Sequence, residues 1–150
     1  MAWFTADFNA FFKDLAKNNN KEWFDTNRKR YEQSVKEPFA AFVTEAIKRI
    51  AKHDKSIHLE PKDAIFRINK DIRFSKDKTP YKLETSAIIS PEGRKDHSVP
   101  GIYFAFGPEA VKGLEFDGVV IVNAHEILDG TSRGARLLYV AMTRAVQVLE

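Results

Sequence analysis

The stretch TADFNAFFKDL, residues 5–15, carries the clearest signal of how this chain folds. Its apolar side chains recur at the spacing i, i+3, i+4 and i+7, which places them on one face of a helix. These residues are Phe8, Phe11, Phe12 and Leu15. Thr5 is a suitable N-cap for such a helix. The stretch therefore predicts a helical N-terminal region whose core is filled by phenylalanine rings.

Two further helices follow from the same pattern. The asparagine run at residues 18–20 interrupts the first helix, and Asn20 can cap a second one. The inner face of the second helix is predicted to hold Trp23, Phe24, Tyr31 and Val35. Pro38 suits the first turn of a third helix. That helix is predicted to bury Phe39, Phe42, Val43, Ala46, Ile47 and Ile50.

Short strand patterns come after the helices. Residues 64–68, 85–89 and 102–106 are candidate strands, and Pro91-Glu92-Gly93 indicates a turn between the last two. The β-branched run at 118–122 predicts a further strand, and residues 136–148 predict a helix that covers the sheet. The predicted fold class is α+β, with N-terminal helices packed on a mixed sheet and a C-terminal RecA-like βα unit.

Composition excludes several classes of protein. Hydrophobic residues make up 43% of the 150 residues and charged residues 30%, as in ordinary globular proteins. No apolar run is long enough to cross a membrane, and the N-terminus lacks the basic region of a signal peptide. The absence of cysteine excludes disulfides and thiolate metal sites, and the four histidines have no metal-ligand spacing. We therefore expect a cytoplasmic protein with no membrane association and no metal.

Positive charge is concentrated in one segment of the chain. The net charge of +3 divides into +5 for residues 1–108 and −2 for residues 109–150. The densest basic segment reads RINKDIRFSKDKTPYK, residues 67–82, and aromatic residues are interleaved with its cations. Basic charge next to stacking rings suits a phosphate-bearing ligand or nucleic acid. The candidate binding residues are Arg67, Lys70, Arg73, Lys76, Lys78 and Lys82.

Other features of this basic segment favour a purely structural reading. Its aromatics can point into the core, and Asp71 and Asp77 can neutralise much of the charge. We expect both aspartates to be buried against neighbouring cations. Pro80 should fix a turn that brings Tyr81 and Lys82 back toward Arg73.

Two motifs in the first two-thirds of the chain carry a family resemblance. NNNKEWF at residues 18–24, followed by the basic segment at 67–82, resembles the bacterial family called domain of unknown function 2461. The resemblance covers about residues 4–108. It implies an α+β fold and no established activity. Members of that family are usually longer, so the resemblance implies a shortened domain.

Two motifs near the C-terminus carry a different resemblance. VKGLEFD at residues 111–117 and LYVAMTRA at 138–145 resemble motifs V and VI of UvrD/Rep-type superfamily 1 helicases. The resemblance implies that Glu115 binds the nucleotide ribose and that Gly113 lets the backbone approach. It implies that Arg144 is an arginine finger on the γ-phosphate and that Thr143 orients the adjacent network.

The phosphate-binding half of such an ATP site is missing. The chain has no G-x-x-x-x-G-K-[ST] loop, so we expect no cofactor in isolation. ATP and Mg²⁺ would be used only with a helicase half supplied by another chain. We interpret residues 1–108 and 109–150 as partial domains of two families, joined by fusion or as a chimera. A single true domain with a local βα likeness is the remaining alternative.

Three functions are consistent with these patterns. One is a non-catalytic binding module for phosphate or nucleic acid, with a helicase-derived tail. Another is a component of an ATP-dependent DNA helicase, and the last is an inactive scaffold. The oligomeric state does not follow from the sequence.

Overall fold

The first helix follows the aromatic pattern of its sequence. In the computed structural model, which describes residues 3–95 and 101–108, helix α1 spans Ala6–Lys17. Thr5 occupies the N-cap position, and its carbonyl oxygen accepts a 3.0 Å hydrogen bond from the Phe8 N–H. All four predicted apolar residues of α1 are buried. The predicted helix and its inner face are therefore confirmed.

The second helix begins as predicted but ends earlier. Helix α2 spans Lys21–Thr26, and the Asn20 side chain caps it by accepting a 2.9 Å hydrogen bond from the Trp23 N–H. The chain turns at Asn27 and then starts helix α3, Arg28–Tyr31. The inner-face residues therefore lie on separate helical segments, although Phe24 and Val35 are buried as expected.

The third helix has Pro38 in its first turn, as predicted, but it is not separated from the helical segment before it. A π-helical segment, Glu32–Lys36, continues directly into helix α4, Glu37–His53. Proline has no N–H and its ring crowds the carbonyl four residues earlier. The Glu37 N–H donates to the Glu32 carbonyl, five residues earlier, as in a π-helix. This π-helical turn ends immediately before Pro38. A local π turn thus accommodates Pro38 inside a continuous helical stretch.

Two strands form the sheet within the described residues. Strands β1, Thr85–Ile89, and β2, Ile102–Phe106, pair antiparallel in the register Ala87 with Phe104, and both have the predicted bounds. Between them lies a turn followed by a 3₁₀ segment, Gly93–Lys95. The α+β class is therefore confirmed. The predicted strand at 118–122 and helix at 136–148 lie outside the described residues.

The candidate strand at 64–68 is not a strand. Its first residue ends a single helical turn, α5, which spans Pro61–Ala64. Ile65 then forms only an isolated antiparallel bridge with Ala87, and the Phe66 N–H bonds to the Ser86 carbonyl at 2.9 Å. Pro61 favours the start of a helical turn, and this turn includes Ala64, the first residue of the predicted strand. The segment still lies along the open edge of β1.

Two groups of buried residues form the core. One joins α1 and α2 to the basic segment, and it contains Phe8, Phe11, Phe12, Leu15, Phe24, Val35, Ile68 and Tyr81. The other lies between α4 and the sheet, and it contains Phe39, Val43, Ile47, Ile57, Ala64, Ala87 and Ile89. Phe4 and Phe106 pack against both groups, with their ring centroids 5.1 Å apart. The helices and the sheet are therefore linked through one aromatic contact region.

No helix within the described part of the chain is long and apolar enough to span a membrane.

Candidate functional site

The two ends of the basic segment lie side by side. Its two ends pair with each other, because the Lys70 N–H bonds to the Pro80 carbonyl at 2.9 Å and the Lys82 N–H bonds to the Ile68 carbonyl at 2.8 Å. Residues 71–79 form the loop between these ends and are called the loop below. Pro80 therefore brings the chain back beside residues 68–70, rather than beside Arg73 as the sequence suggested.

The asparagine motif at residues 18–24 anchors this returning chain. The Asn19 side chain donates to the Tyr81 carbonyl at 2.9 Å and accepts from the Tyr81 N–H at 3.1 Å. Its amide therefore satisfies both backbone groups of Tyr81, as a neighbouring strand would. The Tyr81 ring stacks on Phe24, with centroids 4.1 Å apart and an interplanar angle of 18°. The two motifs that carry the family resemblance thus meet in space.

A cation-lined groove lies next to the anchored ends. This basic groove is a surface cavity of about 400 Å³, lined by Phe66, Arg67, Lys82, Arg94 and Lys95. Two of the lining cations belong to the basic segment, and two follow Gly93 at the end of β1. Four positive side chains around one aromatic ring make a concave surface suited to an anion.

Gly93 directs the two cations that follow it. Its φ of 57° is left-handed, a conformation that costs other L-residues about 1–2 kcal/mol. A Cβ atom at this position would lie 2.7 Å from the Asp63 carbonyl oxygen and 2.7 Å from Leu59 Cδ1. Glycine is therefore required for the turn that carries Arg94 and Lys95 to the groove.

The charges of the groove are only weakly compensated. Within residues 3–95 and 101–108, no ion pair involves Arg67 or Arg94, and Lys95 lies 3.8 Å from its nearest carboxylate oxygen, on Asp63. Lys82 is half-buried, with its Nζ 5.6 Å from the centroid of the Phe66 ring. Burial lowers the pKa of Lys82, and the Arg67 charge lowers it further, while Glu84 acts in the opposite direction. An anion bound here would relieve the repulsion between these cations.

Two other cations of the basic segment, Lys70 at the base of the loop and Arg73 within it, are compensated by carboxylates instead. The Arg73 guanidinium donates two hydrogen bonds to Asp71, at 2.9 and 2.6 Å, and Lys70 Nζ lies 2.7 Å from Asp77. These hydrogen bonds hold the pKa values of both carboxyl groups well below their ordinary range. The aspartate side chains are nevertheless 44% and 56% exposed, so their predicted burial is wrong. Water can reach them because the loop projects away from the core.

The remaining two cations of the loop differ from each other. Lys78 donates from Nζ to the Ile72 carbonyl at 2.9 Å, which closes the loop across its width. Lys76 is exposed, and no ion pair within the described ranges involves it. The six predicted binding cations therefore fall into three places: Arg67 and Lys82 line the groove, Lys70 lies at the base of the loop, and Arg73, Lys76 and Lys78 lie within the loop.

The three aromatics of the region have different environments. Tyr81 is 5% exposed and belongs to the core, and Phe66 is partly buried at the groove. Phe74, at the middle of the loop, is 95% exposed. The structural alternative, in which the aromatics point into the core, is therefore correct for Tyr81 and wrong for Phe74.

Sequence reasoning missed Arg94 and Lys95 as groove residues. They are separated from the basic segment by a strand and a turn, so only the fold brings them together. The sequence did contain a signal for them, because both cations directly follow the Pro-Glu-Gly turn that comes after the candidate strand 85–89. The strand 85–89 was predicted to lie in the same sheet as the candidate strand 64–68, which overlaps the start of the basic segment.

The predicted nucleotide-binding residues cannot be placed. Gly113, Glu115, Thr143 and Arg144 lie outside the described residues. Among the residues that are described, no group of three or more histidine, aspartate or glutamate side chains could hold a metal ion.

The geometry defines a class: an α+β domain with a cation-lined groove and an anchored basic loop. The chain belongs to the family described as "Conserved hypothetical protein (DUF2461)", whose model matches residues 7–114. The match extends six residues beyond the boundary predicted at 108 and ends inside the segment 111–117. Searches of curated proteins and of solved structures found no match.

Proposed function

We propose that this protein is a binding module that recognises phosphate groups through the basic groove. The observation that carries the proposal is the convergence of Arg67, Lys82, Arg94 and Lys95 on one cavity of about 400 Å³. Cations normally separate or pair with carboxylates, because like charges at close range repel. Four cations held together by a fold favour an anionic ligand.

The chemistry of the groove suits phosphate in particular. Arginine guanidinium groups donate to phosphate oxygens in a bidentate manner, and lysines add point charge. Phe66 supplies an apolar wall beside these donors. A single-stranded nucleic acid brings both phosphates and rings, and its binding should depend steeply on salt because bound phosphates release counterions.

Fluorescence anisotropy with a labelled single strand tests this proposal. We expect a micromolar or weaker dissociation constant at low salt. About four phosphate contacts at roughly 0.7 per contact predict a slope near −3 in a plot of log K against log salt. Arg67→Ala with Arg94→Ala should weaken binding and reduce the slope by about 1.4.

A matched variant separates groove contacts from net charge. Lys13 and Lys48 are exposed on α1 and α4, away from the basic segment in sequence. Lys13→Ala with Lys48→Ala removes the same charge and should leave the slope close to that of the unmodified chain. Equal weakening by the two double variants, or no binding at low salt, would contradict the proposal.

A second candidate function rests on the C-terminal motifs alone. In this hypothesis the chain is a helicase component that supplies Glu115, Thr143 and Arg144 to an ATP site completed by another chain. Because the chain lacks a phosphate-binding loop, it should hydrolyse no ATP by itself, with or without single-stranded DNA. An ATPase assay on the chain alone checks this, and turnover that disappears in Arg144→Ala would contradict the requirement for another chain.

A further inference from the structure

Phe74 is the most exposed large apolar residue among those described. Its ring is 95% accessible to water, whereas the next values are 43% for Ile102 and 38% for Trp3. A phenylalanine ring left in water forgoes the favourable free energy of burying its apolar surface. The Arg73 guanidinium carbon lies 5.9 Å from the ring centroid, so one neighbouring cation already contacts the ring.

The loop that carries Phe74 has a defined internal structure. Asp77 accepts hydrogen bonds from the Thr79 N–H at 2.9 Å and from Lys70 Nζ at 2.7 Å. Lys78 reaches across to the Ile72 carbonyl, and the Arg73 N–H donates to Asp71 at 3.2 Å. These contacts join both arms of the loop on either side of Phe74. The loop that carries the exposed ring is therefore ordered before any ligand arrives, which lowers the ordering cost of binding.

The charge around the ring indicates what it binds. Residues 67–82 contain six cations and two aspartates, a net charge of +4. An apolar protein surface would gain little from this field, whereas a nucleic acid strand offers phosphates to the cations and a base to the ring. Stacking of bases on aromatic side chains, combined with a basic groove along the backbone, is how proteins bind single strands.

We propose that Phe74 is a stacking platform for one unpaired base of a single-stranded nucleic acid whose phosphates contact the basic groove. This inference rests on the proposed function and adds the class of ligand. The loop begins four residues after Arg67 and ends three residues before Lys82, so the ring and the groove share the same anchored base. One strand can therefore engage both.

The test compares two strands that have the same phosphates. The full-length chain is titrated with labelled oligothymidine and with an abasic strand of equal length. The unmodified chain should bind oligothymidine more tightly than the abasic strand, because only the first offers a ring to Phe74. Phe74→Ala should lose roughly 5- to 150-fold in affinity for oligothymidine and almost none for the abasic strand.

Two control variants define the role of the ring. Phe74→Tyr keeps a stacking face and should retain the preference for oligothymidine. Ile102→Ala removes another exposed apolar side chain and should leave both affinities unchanged. The salt slope should be the same for Phe74→Ala as for the unmodified chain, because stacking releases no counterions.

The outcomes separate this inference from the proposed function. If both strands bind equally, and Phe74→Ala has no effect while Arg67→Ala with Arg94→Ala weakens binding, the groove is supported and the stacking platform is overturned. If neither strand binds at low salt, both proposals are overturned.

Discussion

Tyr81 and Phe74 lie seven residues apart in one basic segment, yet their environments are opposite. Tyr81 is 5% exposed, stacks on Phe24 and has both backbone groups bound by Asn19. Phe74 is 95% exposed. The difference teaches that one segment can pack one aromatic ring into the core and expose another to solvent. Its ends join the core, and its middle, for which we propose a ligand-binding role, is exposed.

The buried ring of Tyr81 should contribute more to the stability of the fold than the exposed ring of Phe74. Tyr81→Ala removes a buried ring and leaves a cavity beside Phe24, and we expect a loss of about 3–5 kcal/mol in the free energy of unfolding. Urea denaturation measures it. Tyr81→Phe keeps the stacked ring and should cost less than about 1.5 kcal/mol. A small effect of the alanine variant would mean that the segment is not anchored through this ring.

The amide of Asn19 should have the next largest effect. Asn19→Ala leaves the N–H and the carbonyl of Tyr81 without their partner, which should cost about 1–3 kcal/mol. The side chain of the neighbouring Asn18 donates at 3.0 Å to the Asp14 carbonyl in an exposed hydrogen bond, so Asn18→Ala should change stability by no more than about 0.5 kcal/mol. Equal effects at the two asparagines, measured by denaturation, would remove the basis for the anchor.

The exposed ring of Phe74 should contribute little to the free energy of folding. Phe74→Ala removes a ring that has almost no buried surface, so unfolding free energy should change by less than about 0.5 kcal/mol. The melting temperature of the Phe74→Ala variant should therefore match that of the unmodified chain. A clear destabilisation would show that the ring packs against the protein in solution and is not presented to a ligand.

The ion pairs of the loop should give the smallest effect on stability, and this effect should be lost at acid pH. Hydrogen bonds from Arg73 lower the pKa of Asp71 below its ordinary 3.8, and those from Lys70 and Thr79 do the same for Asp77. A depressed carboxyl pKa stabilises the fold above the unfolded value, and this stability is lost as pH falls through the folded value. The contribution should therefore stay constant from neutral pH to 3.8 and disappear below it.

Unfolding of Asp71→Asn across pH checks this sign. The difference between the variant and the unmodified chain should be constant above pH 3.8 and shrink below it. Because the pair is exposed, solvent screening keeps the difference small at every pH. A difference that is already lost near pH 5 would mean that Asp71 is not hydrogen-bonded to Arg73 in solution.

Local patterns predicted the regular elements well. The aromatic spacing of α1 and the bounds of β1 and β2 follow from side-chain periodicity, which depends only on neighbours in sequence. The π turn before Pro38 was not predictable in this way, because a proline after a helical pattern normally indicates a break. The segment 64–68 was misassigned because its apolar run suits a strand, although Pro61 starts a helical turn.

The site was predictable only in part. Charge density identified the basic segment, but it did not distinguish Arg67 and Lys82, which line the groove, from the cations of the loop. That distinction depends on the pairing of the segment's ends and on the turn at Gly93, which are tertiary features. The exposure of Phe74 and the burial of Tyr81 likewise could not be read from two aromatics in similar basic surroundings.

The central claim is that the fold buries one aromatic of the basic segment and presents the other to a ligand. Hydroxyl-radical footprinting with mass spectrometry measures both rings in one sample of the full-length chain. Without a ligand, Phe74 should be oxidised rapidly and Tyr81 slowly, although a free tyrosine is at least as reactive as a phenylalanine. Addition of oligothymidine should protect Phe74 and leave Tyr81 unchanged. Rapid oxidation of Tyr81, or oxidation of Phe74 that a bound strand does not reduce, would contradict the account.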